Sequence, residues 1–209
     1  MFGFIGKTVR VLALAGVALL AANATVAAAI HPEAVTAAAI GSETSIPFGW
    51  VEYCERHAED CFEEDHAAQD IDLTAAVLKK ISRINAEVNH SIEPVTDMDQ
   101  WGLIDRWDLP VDGKGDCEDY ALLKRQKLVA AGFPRAALLL TVVKQANGEG
   151  HSVLTIKTTH GDYVLDNLTN QVKPWSATPY RFVKRQSQEN QNVWVAIAPK
   201  DDGRQFAQR

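Results

Sequence analysis

A short acidic stretch around one cysteine carries the most evident chemistry in this sequence. It reads GDCED at residues 115–119, so that Cys117 follows Asp116 and precedes Glu118 and Asp119. A cysteine acts as a nucleophile through its thiolate, and adjacent carboxylates oppose the formation of a further negative charge. Cys117 is therefore either an inert thiol or a nucleophile whose acidic neighbours are neutralised.

The residues on both sides of Cys117 predict that it begins a helix of about fifteen residues. Asp116 is a suitable N-cap, Glu118 and Asp119 suit the positive end of the helix dipole, and the segment 132–134 (GFP) is a stop signal. Basic residues gather toward the end of the segment: Lys124, Arg125 and Lys127. A helix start lowers the pKa of a thiol through its free N–H groups and dipole. Because successive helical side chains diverge by ~100°, the carboxylates need not point toward the sulfur.

The elements that must position this helix start are further helices and a sheet. Asp72 is a suitable N-cap for an apolar stripe at helical spacing, which Pro94 closes; the stripe consists of Leu73, Val77, Ile81, Ile84 and Val88. The segment 96–110 predicts an ordered loop in which Trp101 and Trp107 are packing residues.

Strand patterns follow the cysteine helix. Short aliphatic runs predict strands at 137–143, 151–158, 162–168 and 193–198. The segment 159–161 (THG) predicts a tight hairpin between the second and third of them. Helices first and then an antiparallel sheet indicate an α+β domain.

Two further residues stand where these elements could bring them to Cys117. His151 opens one strand of the hairpin and Asp166 lies late in the other, roughly level with it if the register slips or bulges. A nucleophile, a base and a residue that orients the base are the parts of nucleophilic catalysis. The alternative is ordinary: a cysteine at a helix start and a histidine at a strand start are more often packing residues.

The carboxylates beside Cys117 form a candidate metal site. Asp116, Glu118 and Asp119 offer hard oxygen ligands suited to Ca²⁺. The alternative is that Glu118 and Asp119 only complement the helix dipole. Zinc is less consistent with the sequence, because no second Cys or His pair stands at ligand spacing beside Cys117 and His151.

The ends of the chain predict an exported protein. A basic start, an apolar run and small-residue cleavage sites are typical of a signal peptide over residues 1–29; the alternative is an uncleaved anchor, but the run is shorter than the ~20 residues of a membrane span. We expect a flexible lead-in at 30–46, one domain at 47–200 and a tail at 201–209, with no membrane span in the mature chain. The net charge of −6 argues against nucleic acid as the main partner.

Export changes the interpretation of the three cysteines. In an oxidising compartment two of them pair, and Cys54 and Cys61 are the nearest two in sequence. On one continuous helix they would lie roughly 10.5 Å apart, too far for a disulfide. A bridge therefore requires a break in the helix, and two separate thiols remain the alternative.

Four short segments together resemble a known family. They are GDCEDYA at 115–121, HSVL at 151–154, VLDN at 164–167 and DRW at 105–107. The sequence from about Pro47 to Ala198 is similar to the bacterial transglutaminase-like cysteine proteinases, which include the LapG-type periplasmic proteases. The resemblance implies a papain-like, transglutaminase-type core with a triad of Cys117, His151 and Asp166.

The same resemblance implies a metal, a substrate and a partner. LapG-type members bind Ca²⁺ through carboxylates around the nucleophile, which here are Asp116, Glu118 and Asp119. They cleave large surface adhesins near small-residue sites such as Ala-Ala, and an inner-membrane receptor can sequester them. Papain-like enzymes carry an oxyanion-hole Gln six residues before the cysteine, where this chain has Val111. The candidates for that donor are Gln100, Trp101 and Trp107.

The sequence thus predicts an exported, periplasmic cysteine endopeptidase that cleaves envelope or cell-surface proteins through a thioester on Cys117. One alternative is an acyl transferase on the same fold, in which an amine instead of water resolves the thioester. The other is a non-catalytic exported binding module.

Overall fold

The computed structural model describes residues 1–3, 36–62 and 67–198. The predicted signal peptide, apart from its first three residues, and the predicted tail lie outside the described residues. The fold belongs to the unit that spans Ala34–Arg209. Within the described segments, no helix is both long and apolar enough to cross a bilayer.

Helices precede most of the sheet along the chain, as the sequence predicts. They are α1 (Phe48–Arg56), α2 (Ala75–Ser91), α3 (Asp97–Trp101) and α4 (Cys117–Ala130). The N-cap of α2 is Thr74 and not Asp72, because the Thr74 hydroxyl accepts the Val77 N–H at 3.2 Å. The segment 96–110, predicted as a loop, contains the short helix α3, which Thr96 caps in the same way.

Seven strands form one antiparallel sheet in the order β1-β9-β8-β4-β5-β6-β7. They are β1 (Ile40–Thr44), β4 (Leu138–Lys144), β5 (Gly150–Thr158), β6 (Gly161–Asp166), β7 (Thr169–Pro174), β8 (Arg181–Gln186) and β9 (Trp194–Ile197). A short parallel pair, β2 (Glu93–Pro94) and β3 (Lys114–Gly115), leads into α4. The predicted hairpin is confirmed, since Thr158 pairs with Gly161.

The lead-in predicted for residues 30–46 is partly wrong. Ile40–Thr44 forms β1, which pairs with β9. All five of its residues are exposed, so their side chains show no alternation and only backbone pairing defines the strand. The strands β7 and β8 were not predicted either; in β7 no residue is fully buried.

The main core lies between α4 and one face of the sheet. Ala121, Leu122 and Leu128 of α4 pack in one cluster with sheet residues Leu138, Leu140, Leu154, Ile156 and Leu165. A second cluster on other sheet residues includes Val143, Val153 and Val164 together with Trp175 and Phe182. The helix that carries Cys117 is thus fixed by apolar packing along most of its length.

A disulfide joins Cys54 and Cys61. The helix α1 ends at Arg56, and a 3₁₀ turn at Ala58–Asp60 brings the two Cα atoms to 5.5 Å. The break that a bridge requires is therefore present, and Cys117 is the free cysteine.

A buried ion cluster joins β5, β6 and β8. Asp162 is fully buried and accepts from Lys157 Nζ at 2.5 Å, Arg185 Nη1 at 2.7 Å and the Ala38 N–H at 3.0 Å. The Asp162 carboxylate compensates two cations and holds the segment before β1 against the sheet.

We expect Asp162→Asn to lower the free energy of unfolding by about 3–5 kcal/mol, because it removes the buried carboxylate that compensates Lys157 and Arg185. Urea denaturation at pH 7 measures the change. The control is Glu87→Ala, which removes the exposed Arg83–Glu87 pair and is expected to cost about 0.5 kcal/mol or less. Equal losses in the two variants would contradict the assigned role of Asp162.

Candidate active site

The hairpin β5–β6 brings His151 and Asp166 together. Leu154 pairs with Leu165, so Asp166 lies opposite Val153, and His151 is its diagonal neighbour on the same face. The His151 Nε2 atom is 2.9 Å from Asp166 Oδ1. The two residues are therefore not level, and the diagonal offset is what allows the imidazole to reach the carboxylate.

The start of α4 places Cys117 beside the backbone of β5. The Ser152 N–H donates to Cys117 Sγ at 3.3 Å, so the sulfur lies next to the residue that follows His151. The thiol itself donates to Glu118 Oε2 at 3.1 Å. Among the described residues, no hydrogen bond links the sulfur to the His151 ring.

The acidic neighbours of Cys117 take two different directions. Asp119 points away from the sulfur and accepts the backbone N–H groups of Asp108 at 2.8 Å and Asp116 at 3.3 Å. Glu118 is 5% exposed and turns toward the sulfur, since the thiol is a donor within reach of its buried carboxyl group. Burial raises the pKa of Cys117 well above its ordinary value, the charge of Glu118 raises it further, and the Ser152 N–H lowers it.

Asp166 is held through both of its carboxylate oxygens. Oδ1 accepts from His151 and from the Leu168 N–H at 3.1 Å, and Oδ2 accepts from the Tyr180 hydroxyl at 2.5 Å. Burial alone would raise the pKa of Asp166, but these donors outweigh it and hold the pKa below its ordinary value. The Asp166 side chain is therefore an anion at neutral pH, as a residue that orients an imidazole must be.

Five carboxylates converge at the start of α4. Oxygens of Asp97, Asp105 and Glu118 lie within 4.8 Å of one another, and so do oxygens of Asp97, Asp116 and Asp119. The structure thus brings together the three predicted ligands. It adds Asp97 and Asp105, which the sequence did not single out as ligands because they lie in another segment of the chain.

The carboxylate cluster has the properties of a cation site. Burial and the charge of Asp116 raise the pKa of Glu118 to about 10. Burial also raises the pKa of Asp119 to about 8, and it raises that of Asp97. Asp97 Oδ1 and Asp116 Oδ1 are buried without a hydrogen-bond donor. Oxygens that lack donors inside a protein suit a hard cation such as Ca²⁺, which takes 6–8 oxygen ligands.

Gly115 allows this cluster to form. A Cβ atom at this position would collide with Asp119 Oδ2 and would lie 2.8 Å from Asp119 Cβ. The glycine of the GDCED stretch therefore leaves the space that the Asp119 carboxylate occupies. Asp119 accepts the Asp116 N–H as part of the helix cap, and its carboxylate also lies within the cluster.

The three candidate oxyanion-hole donors lie in different settings. Gln100 Nε2 donates to Asp112 Oδ2 at 2.9 Å, and Trp107 Nε1 donates to Asp105 Oδ1 at 2.9 Å. Trp101 is half-exposed, and the Arg106 guanidinium lies 4.7 Å from its ring centroid. Trp107 is a core residue as predicted, whereas Trp101, also predicted to be a packing residue, is 47% exposed.

Lys124, one of the basic residues toward the end of α4, is buried near the site. It is 1% exposed, and its Nζ atom is 5.8 Å from the Tyr120 ring centroid. Burial lowers the pKa of Lys124 to about 7, although the charge of Asp166 opposes that shift. The lysine lies about two helical turns after Cys117 in α4.

One family and one fold emerge from comparison with known proteins. The family described as bacterial transglutaminase-like cysteine proteinase matches residues 40–202. The structure is similar to calcium-bound LapG of Legionella pneumophila, with a TM-score of 0.51 and 27% identity over 63% of this chain and 75% of LapG.

Two further structures of the same LapG give similar values. The structure described simply as LapG has a TM-score of 0.49 and 29% identity over 56% of this chain and 68% of LapG. The EGTA-treated form has a TM-score of 0.49 and 27% identity over 58% and 71%. No curated protein matches the chain. The family match and the similarity to calcium-bound LapG confirm the α+β, transglutaminase-like fold expected from the sequence.

We expect Lys124→Met to remove a pH-dependent cost of folding. The pKa of Lys124 is lower in the folded chain, so between pH 7 and the ordinary lysine range the unfolded chain binds more protons and stability rises with pH. Methionine abolishes this contribution, so the variant gains most over wild type below about pH 7. Urea denaturation from pH 6 to 10 measures it, and Lys127→Met, exposed on the same helix, is the control. A constant difference across that range would contradict the expectation.

Proposed function

This chain belongs to the family of bacterial transglutaminase-like cysteine proteinases, and we propose that it is an exported endopeptidase with Cys117 as nucleophile, His151 as general base and Asp166 as orienting group. It is a cysteine peptidase of the transglutaminase-like superfamily. The observation that supports these residue assignments is the 2.9 Å contact between His151 and Asp166. Next to it, Cys117 Sγ accepts a hydrogen bond from the N–H of Ser152.

The geometry supports a different role for each of the two nitrogen atoms of His151. His151 uses Nε2 for Asp166, so Nδ1 is the nitrogen left for the proton of Cys117. Cys117 Sγ attacks the peptide carbonyl carbon, His151 passes the proton to the leaving amine, and a thioester forms. Water, deprotonated by His151, then releases the acid and restores the thiol. The backbone N–H of Cys117, in the first turn of α4, is the first donor to the oxyanion.

Calcium is proposed as the resident ion of the carboxylate cluster. Asp116, Glu118 and Asp119 would hold it together with Asp97 and Asp105, and the LapG relative has been solved with calcium bound. A bound Ca²⁺ supplies positive charge to a buried anionic cluster. As a ligand, Glu118 would cease to be the acceptor of the Cys117 thiol, which leaves His151 as the partner of that proton.

The location and the target of the enzyme follow from the family resemblance and from the sequence of the first 29 residues. We infer a periplasmic enzyme that cleaves envelope or cell-surface proteins, including large adhesins, at small-residue sites such as Ala-Ala. An inner-membrane receptor that sequesters the enzyme is part of the same proposal. The net charge of −6 is consistent with protein targets and not with nucleic acid.

Cys117→Ser is expected to abolish cleavage of envelope proteins, with a fall in rate on the order of 10³-fold or more, because the triad acts as a unit. Incubation of wild type and variant with an envelope extract, and with an internally quenched Ala-Ala peptide, gives the rates. Mass spectrometry of products with added amine distinguishes hydrolysis from acyl transfer. Cleavage that persists in Cys117→Ser, or a Cys117 that alkylates no faster than free cysteine in a chain without activity, would overturn the proposal in favour of a binding module.

Asp97→Asn is expected to weaken Ca²⁺ binding at least about tenfold, the smallest loss usual when a group supporting a metal site is removed. Calorimetric titration gives the affinity. Melting temperatures in Ca²⁺ and in EGTA give the stabilisation by the ion. Asp99→Asn is the matched control, because Asp99 lies in the same helix but is exposed and bonded to Thr96. If EGTA changes neither the activity nor the melting temperature of wild type, the carboxylates only cap α4.

A further inference from the structure

The carboxylate of Asp166 depends on a residue outside the predicted triad. Tyr180 donates its hydroxyl to Asp166 Oδ2 at 2.5 Å, while Oδ1 faces His151 at 2.9 Å. A carboxylate held through one oxygen can still rotate about the bond to its carbon chain. With a donor on each oxygen, the plane of the Asp166 carboxylate is fixed, and so is the direction in which Oδ1 accepts.

Tyr180 also contacts the imidazole directly. The ring centroids of Tyr180 and His151 are 5.3 Å apart at an interplanar angle of 52°. Both residues are almost completely buried, with 8% and 5% exposure. A single side chain therefore supports both partners of the His151–Asp166 hydrogen bond, one through its hydroxyl group and the other through its ring.

The residues before and after Tyr180 in the sequence are fixed by packing and by a hydrogen bond. Tyr180 immediately precedes β8, and Phe182 of that strand packs edge-on against Trp175 at 5.4 Å. The Trp175 indole donates to Thr36 O at 2.9 Å. The segment before β8 is thus anchored to the second core cluster, so the hydroxyl is delivered by a rigid part of the fold.

A cavity of about 180 Å³ lies next to Asp166 and gives the Tyr180 hydroxyl a specific role as hydrogen-bond donor. Its lining includes Asp166, Leu168, Thr178 and Tyr180. Without the hydroxyl, Oδ2 would face a space large enough for water. Water can satisfy the oxygen in several orientations, whereas the tyrosine fixes one.

We propose that Tyr180 is a positioning residue of the active site, which holds the Asp166 carboxylate and the His151 ring in the alignment that proton transfer to and from Cys117 requires. This inference rests on the proposed catalytic roles of the triad. The sequence offers no signal for it, since a tyrosine after Pro179 resembles any other buried aromatic residue.

The chain contains a matched control for this bond. Tyr53, a core residue, donates its hydroxyl to Asp60 Oδ2, also at 2.5 Å, and neither residue is hydrogen-bonded to the triad residues. Tyr180→Phe and Tyr53→Phe each remove one oxygen and one tyrosine–carboxylate hydrogen bond. Comparison of the two variants separates an effect on the site from the loss of a bond in general.

The experiment measures kcat and KM on the internally quenched Ala-Ala peptide, the low-field proton resonance of His151 Nε2–H, and melting temperature. We expect Tyr180→Phe to lower kcat by about 10- to 100-fold, the effect of one hydrogen bond to a charged group, with KM unchanged within about twofold. The His151 resonance, assigned by its loss in His151→Gln, is expected to shift or vanish in Tyr180→Phe and to persist in Tyr53→Phe.

A double-mutant cycle that combines Tyr180→Phe with Asp166→Asn supplies the second test. If Tyr180 acts through Asp166, the losses in kcat of the two single variants do not add in the double variant. Equal kcat values and unchanged His151 resonances in Tyr180→Phe and Tyr53→Phe would overturn the inference. If wild type does not cleave the peptide in a Cys117-dependent manner, the proposed function fails, and the resonance still decides whether Tyr180 aligns His151.

Discussion

The constraint on which the site depends is the burial of several carboxylates at the helix start that carries the thiol. Asp97, Glu118 and Asp119 are each at most 5% exposed, and burial raises the pKa of all three. An interior that holds like charges must protonate them, give them donors or bind a cation. The backbone supplies hydrogen-bond donors to Asp119. Asp97 and Asp116 each have one buried carboxylate oxygen that accepts no hydrogen bond. The fold thereby concentrates hydrogen-bond acceptors at one point beside Cys117.

The arrangement of the three predicted triad residues follows from local rules that a sequence displays. A capped helix start, a tight hairpin and alternation in two strands place Cys117, His151 and Asp166 near one another, and each of these patterns involves neighbours along the chain. The register of the two strands was harder to predict from the sequence, because the diagonal relation of His151 to Asp166 depends on where the turn begins. The same rules failed for β1, whose residues are all exposed and whose partner β9 lies some 150 residues later.

What the sequence could not provide is the set of long-range polar contacts. Asp97 and Asp105 reach the cluster from a separate segment, and Tyr180 reaches Asp166 from the start of β8. The direction of the Glu118 side chain could not be predicted either. Helical geometry separates the side chains of adjacent residues, but a long side chain can still fold back toward its neighbour. Lys124 shows the same limit: a lysine near a helix end suggests solvent, and the packing of α4 on the sheet buries it instead.

The two halves of the site are supported by different parts of the fold. The His151–Asp166 pair is held by Tyr180 and by the Leu168 N–H, neither of which belongs to the carboxylate cluster. Cys117 is held by the start of α4, and its proton is now directed to Glu118. A change at the cluster therefore acts on Cys117, while His151 and Asp166 keep their partners. Glu118 is the side chain at which the two halves meet, because it is both a member of the cluster and the acceptor of the thiol.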